Sequence, residues 1–169
     1  MKSNKIIYIF LFLFFLKINS LAEEFQFESN EVQILEKGNI ILLEKEVKIL
    51  AKDSLKIEAD KSEYDKKKNS LKVYGNVKIT DDTNEININA EKVNYLKSDE
   101  IIFTEGKSTV ELEKKYLINS TDLNLDRNLM KFSSNKKTII DDNKGYNFIL
   151  DKLNFDIKNK ILIGKNVYL

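Results

Sequence analysis

The sequence predicts an all-β domain of about ten short antiparallel strands. Three observations carry that expectation. Apolar and polar residues alternate with period 2 over long stretches, the pattern of a strand with one buried face. The apolar pairs Val32/Ile34, Ser62/Tyr64, Val93/Tyr95, Leu123/Leu125 and Leu153/Phe155 recur in steps of 30, 31, 30 and 30 residues, a period that belongs to stacked supersecondary units. Beyond residue 22 no stretch sustains a 3.6-residue period, and β-branched Ile, Val and Thr fill apolar positions.

The N-terminal element reads as a targeting signal rather than part of this fold. Lys2 and Lys5 precede eleven apolar residues, 6–16, which Lys17 closes; Ser20, Leu21 and Ala22 then lead to Glu23. A membrane-spanning helix needs about 20 apolar residues, so residues 1–22 are expected to be a secretory signal peptide cleaved between Ala22 and Glu23. The exported domain is then 23–169, with 25 basic against 27 acidic side chains and a net charge of −2. That balance gives no electrostatic basis for binding nucleic acid.

Within the domain, residues 55–79 alternate on both sides of a polar turn at 65–69. The pattern returns at 86–95, 117–125 and 148–155, with further turns expected at 81–84, 97–100, 126–128, 141–145 and 156–160. Gly75 and Gly106 each follow their repeat's Tyr by 11 residues. A glycine inside a strand marks a bulge, a sharp bend or the close approach of another backbone.

The chain contains no Cys, His, Pro or Trp. Disulfides, thiolate or imidazole metal sites, cysteine nucleophiles and Ser-His-Asp relays are therefore excluded. The acidic runs Asp81-Asp82 and 141–145 read as turns, and calcium-loop spacing fails because the twelfth position from Asp141 is Lys152. Lys66-Lys67-Lys68 and Lys136-Lys137 read first as solvated turns that protect edges. These residues suggest no enzyme and call for no cofactor.

Gly75-Asn-Val-Lys-Ile, a polar turn, and 86–95 (Ile-Asn-Ile-Asn-Ala-Glu-Lys-Val-Asn-Tyr) together resemble the OstA-like domain of the lipopolysaccharide transport bridge. Asp60-Lys61 and Glu91-Lys92 match that family's Ala-Asp-Lys corner; the third copy departs, with Thr121-Asp122 and no glycine. The resemblance spans roughly 25–169 and implies an open, twisted β-jellyroll with an apolar trough that shields lipid A acyl chains in the periplasm. In the trough the alternation places Leu55, Ile57, Ala59, Tyr64, Leu71, Val73, Val77, Ile79, Ile86, Ile88, Ala90, Val93, Tyr95, Leu123, Leu125, Leu153 and Phe155. The resemblance also implies docking to other OstA-like domains by strand addition, and delivery to a barrel and lipoprotein translocon of the outer membrane.

Among family members, residues 24–34 and the arrest of the pattern at 161–169 look most like the domain that precedes an outer-membrane barrel. A stand-alone periplasmic bridge protein is the alternative within the family. In another class, a surface β-solenoid or adhesin repeat with a dry core would share the alternation. The two classes differ in whether the inner faces touch or gape. In an open trough, Ile88→Asp or Val93→Asp would weaken lipid binding before it unfolded the domain.

Overall fold

A computed structural model describes residues 25–168; the expected signal peptide and its Ala22/Glu23 cleavage point lie outside the described residues. Two short strands, β1 (Phe25–Glu28) and β2 (Glu31–Leu35), lead into five long ones: β3 (Ile40–Ala51), β4 (Leu55–Asp65), β5 (Ser70–Asp81), β6 (Ile86–Leu96) and β7 (Ile101–Leu112). Seven short strands follow: β8 (Tyr116–Thr121), β9 (Asn124–Asp126), β10 (Lys131–Ser134), β11 (Thr138–Asp142), β12 (Asn147–Leu150), β13 (Lys152–Asp156) and β14 (Ile161–Lys165). Consecutive long strands pair antiparallel, and among the described residues all fourteen strands belong to one open sheet. The fold class is as expected, but there are fourteen strands rather than about ten, because the sheet is folded and its later strands break at the fold.

Each long strand is bent near its middle. The register shifts between Glu44 and Val47, Glu58 and Lys61, Tyr74 and Val77, and Ala90 and Lys92. A bulge adds an unpaired residue and sharpens the local turn of the strand. Aligned bulges form a crease through Asp60, Gly75, Glu91, Gly106 and Asp122, in steps of 15, 16, 15 and 16 residues. The crease residues Lys45, Glu46, Gly75, Asn76, Gly106 and Asp122 have left-handed backbone angles. Gly75 is required twice over: its φ is +73°, and a Cβ there would lie 2.3 Å from Asp60 Oδ2. That oxygen accepts a hydrogen bond from Asn76 Nδ2 at 2.9 Å. The Ala-Asp-Lys corner is thus the crease itself.

The crease divides the sheet into two arms. A long arm runs β2-β3-β4-β5-β6-β7-β9-β10-β13-β14, and a short arm runs β1-β3-β4-β5-β6-β7-β8-β11-β12, with β3 to β7 lending half their length to each. After β7 the strand divides: β8 pairs with residues 107–112 and β9 with 101–103, while Asp122 N donates to Gly106 O at 3.0 Å.

The 30-residue repeat has a direct structural counterpart at the hairpin tips. On the long arm each tip donates a backbone hydrogen bond to the preceding one: Lys66 to Asn39 at 2.9 Å, Lys97 to Asn69 at 3.0 Å, Arg127 to Glu100 at 3.0 Å and Ile157 to Met130 at 2.9 Å. On the short arm Glu113 donates to Glu85 at 2.8 Å and Asn143 to Lys115 at 2.9 Å. Aspartates close many of these turns by accepting from backbone N–H groups two or three residues on, as Asp65, Asp81, Asp126, Asp142 and Asp156 do. That accounts for the acidic runs at 81–82 and 141–145 as turn chemistry. Three further tips, at 36–39, 52–54 and 113–115, are missed by the sequence reading although each is a short polar run.

Candidate functional site

Every second residue along each arm points into the space between the arms. The long arm contributes Tyr64, Leu71, Val73, Val93, Tyr95, Leu123, Leu125, Leu153 and Phe155; the short arm contributes Leu55, Ile57, Ala59, Val77, Ile79, Ile86, Ile88 and Ala90. All seventeen expected trough residues therefore share one interior. All are buried except Ala90, which is partly buried and packs against the others. In this structure the inner faces touch, the arrangement given above for a dry core rather than for an open trough. Ile88 is 1% exposed and Val93 is 0% exposed, so an aspartate at either site buries a charge in the resting fold and destabilises it directly. The condition on which such a change would weaken lipid binding before it unfolded the domain, an open trough, is not met at these two positions.

The interior also recruits residues that the sequence reading does not single out. They include Phe25 from β1, Leu43, Val47 and Ile49 from β3, Ile102, Val110 and Leu112 from β7, and Phe132 from β10. In β7 the alternation is masked because two inner positions are hydroxyls. Thr104 is 1% exposed; its Oγ1 accepts from Leu123 N at 3.0 Å and bonds Ser108 Oγ at 3.0 Å. Ser120 and Thr138 pair likewise at 2.7 Å. Satisfied hydroxyls can occupy buried positions that a hydropathy pattern assigns to loops.

At the first and last strands the interior is uncovered. Val32 and Ile34 on β2 lie opposite Leu43 and Ile41, hence on the inner face, yet they are 53% and 66% exposed. They keep the register expected of a fifth copy but not its burial, and β2 is an edge strand paired only with β3. On β14, Leu162 lies opposite Phe155 and remains exposed.

Opposite the crease the two rows of tips form the mouth, and it is closed. Near the N-terminal margin the Phe25 ring meets the Tyr64 ring edge-on, with centroids 5.0 Å apart, and the Tyr95 ring at 5.9 Å. Farther along, Tyr116 of the short arm meets Phe155 of the long arm at 5.8 Å. Between them lies a polar cluster centred on Arg127, the only arginine in the chain. Its Nη2 donates to Asp81 Oδ2 at 3.2 Å, and its Nη1 donates to Tyr95 Oη at 3.2 Å and to Glu100. Tyr95 Oη in turn donates to Glu100 Oε2 at 2.6 Å, and Lys97 pairs with Glu100.

Burial and neighbouring charge set the protonation of this cluster. Burial, with the bond to Glu100, pushes the Tyr95 phenol well above its ordinary range. Burial alone would raise Glu100, but bonds from Lys97 and Tyr95 and the charge of Arg127 outweigh it and hold the carboxyl below its ordinary value. Burial works to lower Arg127, and the neighbouring Tyr95, Glu100 and Asp81 more than offset it, so the guanidinium stays charged. Next to this cluster an open cleft of about 630 Å³ lies between Asn84, Glu85, Glu113 and Lys115 of the short arm and Met130, Ile157, Lys158 and Lys160 of the long arm.

Among the described residues no group of three or more acidic side chains is arranged to hold a metal ion. The arrangement is a packed apolar interior with a hydrogen-bonded wall, a charged mouth and two uncovered margins. Such a body can hold or exclude apolar chains.

The comparisons with known proteins bear on this geometry. The family model described as LptA/(LptD N-terminal domain) LPS transport protein matches residues 56–149, from β4 into β12 and more than half of the chain. Among solved structures the fold is similar to that of LptH, the LptA-homologous periplasmic component of the conserved lipopolysaccharide transport device from Pseudomonas aeruginosa. The two are 10% identical with a TM-score of 0.50, over 83% of this chain and 80% of that one. No curated protein matches the sequence.

Proposed function

The chain belongs to the family of LptA/(LptD N-terminal domain) LPS transport proteins, and on that premise we propose that it carries lipopolysaccharide with the lipid A acyl chains held between its two arms. The observation that supports this reading is the continuous apolar interior, which runs the length of the sheet and is left uncovered at β2 and β14. An acyl chain in water is unfavourable by roughly 0.8 kcal/mol per methylene. When the arms part around such chains, apolar contact between arms is exchanged for apolar contact with lipid. Both surfaces stay out of water, so the exchange needs little net free energy. The closed state thus keeps the apolar wall dry until cargo replaces it.

The margins fit a chain of such carriers. β2 and β14 end the long arm, and each shows an apolar inner side chain where a neighbouring trough would continue the surface. Strand addition joins sheets through main-chain hydrogen bonds and aligns their faces. Passage toward an outer-membrane translocon then requires no bond making by this chain. Export requires a signal, and residues 1–22 supply one in this reading.

The test is to export the full chain in Gram-negative cells, purify it and analyse its N-terminus and bound lipid. The reading expects Glu23 as the first residue and lipopolysaccharide co-purifying with the protein. Recovery without lipid, together with failure to take up purified lipid A, would support the dry-core surface repeat instead.

A further inference from the structure

The contacts between the arms are of two chemical kinds. Along the interior they are apolar. Among the described residues, the ion pairs that join one arm to the other are Arg127 with Asp81, at 3.2 Å, and Lys160 with Glu113, and both lie at the mouth. Every other ion pair lies within one arm. The Arg127 and Asp81 side chains are 7% and 2% exposed. Desolvating such a pair usually costs as much as its attraction returns, and apolar residues of similar volume would hold the arms together at least as well. Stability therefore does not explain an ionic clasp at this place.

The residue type is informative. The chain uses lysine at 27 of its 28 basic positions, and its single arginine sits at the mouth. A guanidinium presents a planar fork that binds phosphate in two-point fashion, and it keeps its charge when buried. The Arg127 Nε atom is buried and has no hydrogen-bond acceptor, so the cation has a donor that its present partners do not use. The adjoining cleft places apolar Met130 and Ile157 beside Lys115, Lys158 and Lys160, a match for a molecule with a phosphate at one end and an alkyl chain at the other. Opposite the mouth, the crease carries Gly106 at φ +82°, and a Cβ there would meet nothing within 4 Å.

We propose that the two inter-arm ion pairs are a gate worked by the phosphate of an anionic amphiphile. The phosphate replaces Asp81 on Arg127 and Glu113 on Lys160, the arms lose their ionic link at the mouth, and the alkyl chains enter over Met130 and Ile157. This rests on the lipid-carrier reading above and adds to it the group that opens the carrier.

The chain has no cysteine, so Lys114→Cys on the short arm and Leu129→Cys on the long arm can carry two spin labels, and pulsed electron spin resonance then reads the separation of the tips. The full exported chain is titrated with diphosphoryl lipid A, with lipid A stripped of its phosphates, and with inorganic phosphate, while bound lipid is measured separately by co-elution. Diphosphoryl lipid A is expected to lengthen the distance at about tenfold lower concentration than the stripped lipid, the size of one charge-assisted hydrogen bond. Inorganic phosphate alone should leave the distance unchanged. Arg127→Gln and Lys97→Gln combined with Asp81→Asn and Glu100→Gln, together with Lys160→Gln and Glu113→Gln, removes both inter-arm pairs without stranding a charge in the interior, and in this variant the two lipids should open the mouth equally. Equal potency in the native chain, a preference that survives in the variant lacking both pairs, opening by inorganic phosphate alone, or lipid bound without tip separation would each overturn the gate and leave the carrier reading standing. Failure of both lipids to bind would overturn the gate and the carrier reading together.

Discussion

The middle of the folded sheet and its two margins are made of the same alternating strands, yet they end in opposite states. In β4 to β7 the inner side chains are covered by the facing arm, and Leu71, Val73, Val93 and Tyr95 are each 0% exposed. On β2, Val32 and Ile34 occupy the same inner register and lie open to solvent. Local sequence therefore does not decide burial here; position in the sheet does, since β4 to β7 are paired on both sides and β2 is paired only with β3. A repeat of this kind buries its face only where neighbours exist.

The comparison is broken most strongly by truncating one side chain of each kind. Tyr95→Ala should lower the unfolding free energy by about 3–5 kcal/mol, because it removes a fully buried ring and its bond to Glu100. Ile34→Ala should change stability by less than about 0.5 kcal/mol, yet reduce association between copies measured by sedimentation. Urea unfolding of the two variants checks the contrast, and similar losses would contradict it.

Next in size is Arg127→Met alone. It leaves buried Asp81 without its cation and Glu100 with Lys97 alone, and should destabilise the domain by about 3–5 kcal/mol at most, with partial recovery when Asp81→Asn is added. At the crease, Gly75→Ala should cost about 1–2 kcal/mol for the left-handed angle and more for the contact with Asp60. Gly106→Ala carries only the first of these costs, and comparing their urea midpoints separates backbone angle from crowding.

The smallest expected effect is on acid stability. The Glu100 carboxyl is held below its ordinary value of 4.5, so its charged form favours the folded state. That contribution is complete at neutral pH, declines as pH falls below the ordinary value, and is lost once pH passes the folded one. Unfolding followed from pH 7 to pH 3 should show a shallower loss in Glu100→Gln than in the native chain.

The arms, the repeat and most of the interior are legible in the sequence because alternation and burial coincide from Leu55 to Phe155. The crease is half legible. Gly75 and Gly106 announce it, whereas Glu46 and Asp122 adopt the same left-handed angles without a glycine to mark them. The closure of the mouth is hidden, because Asp81 and Arg127 are 46 residues apart and nothing local to either indicates the other. A lone arginine among lysines is the one available signal, and it acquires meaning only once the tips are seen to face each other. The exposure of Val32 and Ile34 is illegible for a related reason: their pattern is that of a core strand, and nothing local marks β2 as an edge strand.

The account rests on the claim that an interior closed at rest opens to lipid. The most direct measurement is photocrosslinking in Gram-negative cells exporting the full chain, with the probe placed at Ile88 on the inner face and, in a separate variant, at its exposed neighbour Asn89. The account predicts lipopolysaccharide adducts at Ile88 and none at Asn89. Absence of adducts at both positions, in a chain that is folded and exported, would contradict it and leave an interior that never admits lipid.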